Sequence, residues 1–168
     1  MIRPYHCNPA IPKYNSTITP RYPIIQTLSG VTCRVMHQRK ADLPRVPMIS
    51  IVDDDESVRE ATKGLVRSLG YNAATFASAE EFLSSDRILE TACLITDLEM
   101  PGLSGFELQS RLIDEGHQIP IIFITAYVEE RIRLRAEKCG AWGFFGKPFD
   151  EVGLIDCLHR AVKDNTKV

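Results

Sequence analysis

The 168-residue sequence has no long apolar run and no pair of cysteines at the two-residue spacing of zinc or redox motifs. No stretch approaches the roughly 18 consecutive apolar residues of a membrane-spanning helix, so we expect no membrane segment. The longest apolar cluster near the N-terminus, residues 22–25, is interrupted by Pro23 and is too short for a signal-peptide core. The five cysteines are scattered and odd in number, which is typical of free thiols in a reducing compartment and predicts a cytoplasmic location.

Proline and basic charge are concentrated in the first 47 residues, which hold seven of the ten prolines and seven Lys or Arg against one acidic residue, Asp42. Prolines at this density leave no room for a helix or strand of useful length. Residues 1–47 are therefore predicted to be a proline-rich basic extension. Three interpretations are open: a disordered tail that docks an acidic partner, a transit-type peptide, or an upstream start site, which the position of Met48 at the first predicted strand favours.

The remaining residues, 48–168, hold thirteen basic and twenty-one acidic residues. An acidic domain is repelled by the phosphate backbone of nucleic acid, so direct nucleic-acid binding by this region is not expected.

Short apolar runs alternate with amphipathic stretches from Met48 onward, which indicates strands alternating with helices. The predicted strands are Ile49 to Val52, Ala73 to Phe76, Cys93 to Thr96, Ile121 to Thr125 and Gly143 to Phe145. This pattern predicts an α/β fold: a doubly wound, five-stranded parallel sheet with helices on both faces. The flavodoxin-like version of that fold has strand order 2-1-3-4-5 and binds ligands at the carboxyl ends of its strands.

Spacing and end signals predict the helices between these strands. The first helix carries Val58, Thr62, Leu65 and Leu69 and stops at Gly70, and the second opens at Ser78, with Glu81 completing a capping box. The third helix runs from after Ser104 to near Gly116, and the fourth carries Val128, Ile132, Ala136 and Cys139. The fifth helix opens at Asp150 and carries Leu154, Ile155, Leu158, Ala161 and Val162.

Polar residues follow these strands where the fold predicts function. Asp53 to Asp55 follow the first strand, Asp97 ends the third, Thr125 ends the fourth and Lys147 follows the fifth. Carboxylates held this close repel one another unless a cation neutralises them, and Mg²⁺ prefers carboxylate oxygens and commonly bridges a phosphate. A lysine and a threonine hydroxyl could stabilise a phosphoryl group in transfer, with Asp97 as the carboxylate nucleophile because its strand should be central.

Four stretches in this order resemble the receiver domains of two-component response regulators, with a motif style closest to FixJ-type receivers. The stretches are IVDDDESVR from Ile51, TDLEMPGLSG from Thr96, ITA from Ile124 and KPF from Lys147. The resemblance spans residues from about Met48 to about Lys163.

The resemblance implies a role for each matching position. Asp97 would be the phosphoacceptor, Asp53 and Asp54 the metal pair for Mg²⁺ or Mn²⁺, and the backbone carbonyl of Glu99 a further ligand. Asp54 is expected to bind the metal directly and Asp53 largely through water. No organic cofactor is expected.

The other matched positions would bind the phosphoryl group or respond to it. Thr125 would be the switch hydroxyl, Lys147 the phosphate-binding lysine, with a cis bond to Pro148, and Phe144 the switch aromatic. The alternative for Phe144 is an ordinary core side chain. Glu99 and Tyr127 flank the path of the hydrolytic water, which predicts slow self-dephosphorylation.

The resemblance further implies a signalling domain that assists its own phosphorylation and dephosphorylation and is otherwise not an enzyme. Its phosphodonor would be a histidine kinase or histidine phosphotransfer protein that meets the first helix near Ser57 and Glu60 and the loop near Phe149. A homodimer or target contact is predicted through the fourth helix, fifth strand and fifth helix. The chain ends at Val168 without an output domain, so we expect either a stand-alone receiver or a fragment of a FixJ-type transcription regulator.

Two other classes share part of this pattern. A flavodoxin-like cofactor binder needs a Gly-, Ser- or Thr-rich loop after its first strand, and three aspartates stand there instead. An aspartyl-phosphate phosphatase places its nucleophile after the first strand and needs a cap insertion, for which this chain has no room. Both are weaker interpretations than the receiver.

Overall fold

The computed structural model describes residues 46–165. The proline-rich extension therefore lies outside the described residues up to position 45, and its predicted character is untested. The elements are β1 (Met48–Val52), α1 (Glu56–Ser68), β2 (Asn72–Phe76), α2 (Ala79–Leu83), a 3₁₀ turn (Ile88–Glu90), β3 (Thr91–Asp97), α3 (Gly105–Asp114), β4 (Ile121–Thr125), α4 (Glu130–Lys138), β5 (Gly143–Gly146) and α5 (Glu151–Asn165).

The five strands form one parallel sheet with the order β2-β1-β3-β4-β5, as predicted. β3 is central: Ile95 pairs with Ile51 of β1 on one side and with Ile122 of β4 on the other. Apolar residues face both sides of the inner strands, because helices cover both faces of the sheet.

Two apolar layers flank the sheet. In β4, Phe123 packs with α3 residues such as Leu108 on one face, whereas Ile122 packs with α5 residues such as Leu158 on the other. This alternation follows from the period of two along a strand. The sheet is therefore held rigidly in the middle, and the carboxyl ends of β1, β3, β4 and β5 are fixed relative to one another.

Side-chain caps begin α1, α2, α3 and α5, whereas α4 has none. Ser104 and Glu107 form a reciprocal capping box at α3. The box predicted at α2 is incomplete: Ser78 accepts a hydrogen bond from the Glu81 amide, but the Glu81 carboxylate accepts from the amide of Ala77 at 2.6 Å instead of from that of Ser78.

The predicted start of the fourth helix is wrong. Val128 precedes α4, which begins at Glu130 after an extended Glu129. The Val128 side chain is 55% exposed and lies against Gly146 of β5, where an added methyl group would collide with it. Val128 is therefore an apolar residue that makes a contact from a loop. Its spacing from Ile132 and Ala136 in the sequence is nevertheless that of an apolar helical stripe.

Across residues 46–165, every helix is too short or too polar to cross a bilayer.

Candidate phosphoryl-transfer site

Three carboxylates converge at the carboxyl edge of the sheet. One oxygen from each of Asp53, Asp54 and Asp97 lies within 4.8 Å of the others. The convergence follows from the register, because Val52 pairs with Thr96 and the residues that come next along β1 and β3 are therefore neighbours. Asp53 and Asp97 are 3% and 6% exposed, whereas Asp54 is open to solvent.

Lys147 supplies a positive charge to the two buried carboxylates. Its ammonium donates to Oδ2 of Asp53 at 2.7 Å and to Oδ2 of Asp97 at 2.5 Å. The lysine follows β5, so its long side chain must cross the end of β4 to reach them. Its backbone amide donates to the carbonyl of Thr125 at 2.7 Å, and its bond to Pro148 is cis, as predicted.

Burial and pairing together shift the pKa values of Asp53 and Lys147. Burial raises the pKa of Asp53 above its ordinary value, and hydrogen bonds from Lys147 and the Asp55 amide offset part of that rise. Burial lowers the pKa of Lys147, but its hydrogen bonds to Asp53 and Asp97 outweigh this and leave the pKa above its ordinary value. The lysine is therefore a permanent cation at neutral pH.

Both oxygens of the Asp97 carboxylate have a donor. Oδ1 accepts from the backbone amide of Glu99 at 3.0 Å, and Oδ2 accepts from Lys147. Thr125 is fully buried, and its hydroxyl oxygen accepts from the amide of Tyr127 at 3.1 Å. The side chains of Glu99 and Tyr127 are exposed, and their role in slowing hydrolysis stays a prediction.

Phe144 is 6% exposed and packs in the core layer that contains Phe123 and Ala136. This inward position fits either of the two interpretations that the sequence leaves open, a switch aromatic or an ordinary core side chain.

Asp55 serves α1 instead of the carboxylate cluster. It is the N-cap, and its carboxylate accepts from the amides of Ser57 and Val58 at 2.8 and 3.3 Å. A carboxylate at this position satisfies amides of the first turn that have no partner within the helix.

Two side chains that sequence reasoning missed hold the loops of the site from outside. The Arg59 guanidinium donates to the backbone carbonyl of Asp53 at 2.7 Å, and the Glu80 carboxylate accepts from the amide of Leu103 at 3.0 Å. These contacts span 6 and 23 residues, and neither follows a strand end or a periodic stripe. No local sequence signal marks them.

The donor set of the cluster fits a hard divalent cation. Its ligand atoms are carboxylate oxygens on a rigid sheet edge, and Asp54 is exposed enough to meet an ion that keeps several waters. Among residues 46–165 the cluster consists of three aspartates, whereas zinc sites mostly use sulfur or imidazole ligands.

The arginines of α4 have partners among neighbouring side chains. Arg131 pairs with Glu129 at 2.5 Å, and Arg135 lies over the ring of Phe106 at 4.2 Å from its centroid. Arg133 pairs with Glu130 and Glu137. Exposed ion pairs of this kind are typical of a helix surface that faces solvent.

Comparison with known proteins identifies relatives over the same region. The family model described as response regulator receiver domain matches residues 49–159. The response regulator protein TmoT of Ectopseudomonas mendocina is 44% identical over 116 residues, which are 69% of this chain and 53% of TmoT. The chain spans about half the length of the curated relatives it matches.

Solved structures agree with this result. The response regulator StyR superposes with a TM-score of 0.68 at 42% identity, covering 73% of this chain and 62% of that one. The structure called FixJ-N superposes with a TM-score of 0.63 at 34% identity, covering 70% of this chain and 94% of that one.

Proposed function

This chain belongs to the response regulator receiver family of two-component signalling, and we propose that it accepts a phosphoryl group on Asp97. The observation that carries the proposal is the Lys147 ammonium, which bridges a buried carboxylate at the end of the central strand and a second carboxylate beside it. This arrangement puts an anionic nucleophile, a fixed cation and a cluster of oxygen ligands at one sheet edge. Membership of the family implies a histidine kinase or histidine phosphotransfer protein as the donor.

Receiver domains bind Mg²⁺ at an acidic pocket, and the cluster in this chain has the ligands for it. Asp53, Asp54, Asp97 and the backbone carbonyl of Glu99 would hold Mg²⁺ or Mn²⁺. The bound ion would supply positive charge to the phosphoryl oxygens during transfer.

Asp97 acts as the nucleophile. One oxygen of its carboxylate forms a new bond to phosphorus while the bond from phosphorus to the donor histidine nitrogen breaks. The electron pair of that bond leaves with the ring, which takes up a proton from water, so the products are an acyl phosphate and a free imidazole. The amide of Glu99 orients the carboxylate from one side. Lys147 exchanges its hydrogen bond to Asp97 for one to a phosphoryl oxygen, so its charge stays in the pocket throughout the reaction.

Thr125 responds to the acyl phosphate on Asp97. Its hydroxyl turns to donate to a phosphoryl oxygen, and in turning it gives up the hydrogen bond from the Tyr127 amide. The loop from β4 to α4 is then free to shift, and Phe144 moves with it as the switch aromatic.

Glu99 and Tyr127 set the lifetime of the acyl phosphate. A carboxylate and a ring at the mouth of the site hinder the approach of the hydrolytic water, so self-dephosphorylation is slow. In this sense the domain assists reactions of its own phosphoryl group and turns over no separate substrate.

The output uses protein contact through α4, β5 and α5. Leu134 of α4 and Val152 of α5 are 42% and 75% exposed, which offers apolar contact area to a second copy or a target. The alternative output is a DNA-binding domain of the same polypeptide, as in a FixJ-type transcription regulator. The intact mass of the native protein distinguishes a receiver alone from a longer regulator and also tests whether residues 1–47 are present.

Acetyl phosphate and Mg²⁺ provide the test of phosphorylation. The wild-type chain should gain the mass of one phosphoryl group, and Asp97→Asn should gain none. Loss of the gain on removal of Mg²⁺ would support the metal requirement. Equal labelling of the two proteins would overturn the assignment of Asp97, and continuous hydrolysis of small phosphate esters would favour an aspartyl-phosphate phosphatase.

A further inference from the structure

The loop between β3 and α3, residues 98–104, closes on itself directly beside Asp97. The amide of Gly105 donates to the carbonyl of Leu98 at 3.1 Å, so the exit of the loop returns to its entry. A methyl group on Gly105 would collide with the carbonyl of Asp97, which shows how closely the two backbones approach. A shift at the exit of this loop would therefore press on the backbone of the proposed phosphoacceptor.

Three consecutive amides at the exit of this loop each have an acceptor. Leu103 donates to Glu80 at 3.0 Å, Ser104 donates to Glu107 at 2.9 Å, and Gly105 donates to Leu98. Glu107 belongs to α3 and Leu98 to the loop itself. Glu80 is the one of these three acceptors that reaches in from a separate element, α2.

Glu80 is a firm support although its side chain is exposed. The neighbouring residues Ala79 and Phe82 of α2 are fully buried in the core, which fixes the position of the short helix. The Glu80 carboxylate also lies against Gly102, where an added Cβ would be 2.5 Å from Oε1. Hydrogen bonds from its own backbone amide and from Leu103 lower the pKa of Glu80, so at neutral pH it is a charged acceptor.

We propose that Glu80 is a positioning residue for the metal and phosphoryl site, acting through the loop that it holds. The same loop carries Glu99, whose amide orients the Asp97 carboxylate and whose carbonyl is the proposed metal ligand. With Glu80 in place, that carbonyl and that carboxylate keep one mutual orientation before the ion arrives. This inference rests on the proposed function, because it assigns Glu80 to the same site.

Three variants of α2 separate this role from simpler effects. Glu80→Ala removes the acceptor. Glu80→Gln removes the charge but keeps a side-chain oxygen that can accept from Leu103. Glu81→Ala is the matched control, because it removes a neighbouring carboxylate that bonds the amide of Ala77 and does not touch the loop.

The measurement is Mg²⁺ affinity by calorimetric titration of the full unphosphorylated chain, accompanied by urea unfolding and by amide hydrogen exchange at Leu103. Glu80→Ala should weaken Mg²⁺ binding by about tenfold, the lower end of what loss of an indirect support costs a metal site. Glu80→Gln and Glu81→Ala should stay within about twofold of the parent. Exchange at Leu103 should be faster in Glu80→Ala than in either of the other two variants.

Each contrary result of these measurements has its own interpretation. Parent-like affinity in Glu80→Ala would overturn the positioning role, and so would equal weakening in Glu80→Ala and Glu80→Gln, since that would be an effect of charge alone. Weakening that appears equally in Glu81→Ala would also overturn it, as a general effect of disturbing α2. A parent chain that binds no Mg²⁺ would instead refute the proposed metal site itself.

Discussion

Lys147→Met tests the electrostatic balance of the pocket in the absence of metal. The substitution keeps most of the aliphatic stem and removes the ammonium that bridges Asp53 and Asp97. Breaking a buried ion pair by removing one partner costs about 3–5 kcal/mol. Here the lysine side chain is 18% exposed, and Asp53, whose pKa is already raised by burial, can take up a proton, so we expect a loss of about 2–3 kcal/mol in the free energy of unfolding at neutral pH.

The loss should be visible as a shift in urea unfolding measured with EDTA. With an m-value of about 2 kcal/mol/M, the midpoint should fall by about 1–1.5 M. Lys63→Met is the matched control, because Lys63 pairs with an exposed Glu60 at 2.9 Å and such surface pairs contribute little. Excess Mg²⁺ should restore part of the stability of Lys147→Met, since a bound cation replaces the missing charge.

The loss should also depend on pH with a definite sign. Burial already raises the pKa of Asp53 above its unfolded value, and removing Lys147 raises it further. The folded variant then binds more protons than the unfolded chain, so its stability falls as pH rises from the ordinary pKa of 3.8 through the folded pKa. A variant as stable as the parent at neutral pH, or one whose loss is the same at about pH 4.5 as at about pH 7, would refute the reasoning.

Three further outcomes follow from contacts elsewhere in the fold. Gly146→Ala should cost about 1–3 kcal/mol by overpacking against Val128, and Val128→Ala in the same chain should recover most of that loss in urea unfolding; simple addition of the two losses would contradict the contact. Hydrogen bonds from Ser104 hold the pKa of Glu107 below its ordinary value of 4.5, so its contribution to stability is present above that value and is lost as pH falls through the folded pKa. The parent should therefore lose more stability than Glu107→Gln between about pH 5 and about pH 3, and parallel losses would count against the capping box. Tyr127→Ala should shorten the half-life of the phosphorylated protein severalfold by admitting water, and an unchanged half-life would remove Tyr127 from that role.

The sequence predicts the fold well because apolar residues recur with one period along the strands and with a different period along the helices. All five predicted strands are present within two residues of their expected bounds, and the order of the sheet is as predicted. The predicted start of the fourth helix is wrong because an apolar residue of the preceding loop has helical spacing. Val128 is that residue, and it contacts Gly146 from outside α4. The 3₁₀ turn at Ile88–Glu90 carries no periodic signal and was not predicted.

The candidate site is predictable to the extent that it follows strand ends. Asp53, Asp97 and Lys147 meet because parallel strands bring their carboxyl ends to one edge, and that much can be read from strand boundaries. Arg59 and Glu80 could not be found in this way, because each reaches a backbone group from a helix that the sequence places only approximately. Their roles depend on side-chain reach in three dimensions.

The position of the acyl phosphate tests the central claim most directly. The phosphorylated chain can be reduced with borohydride, which converts an aspartyl phosphate to homoserine, and the product can be mapped by peptide mass spectrometry. The label should appear at residue 97 and at no other aspartate. A label at Asp53 or Asp54, or phosphorylation that leaves residue 97 unreduced, would contradict the assignment.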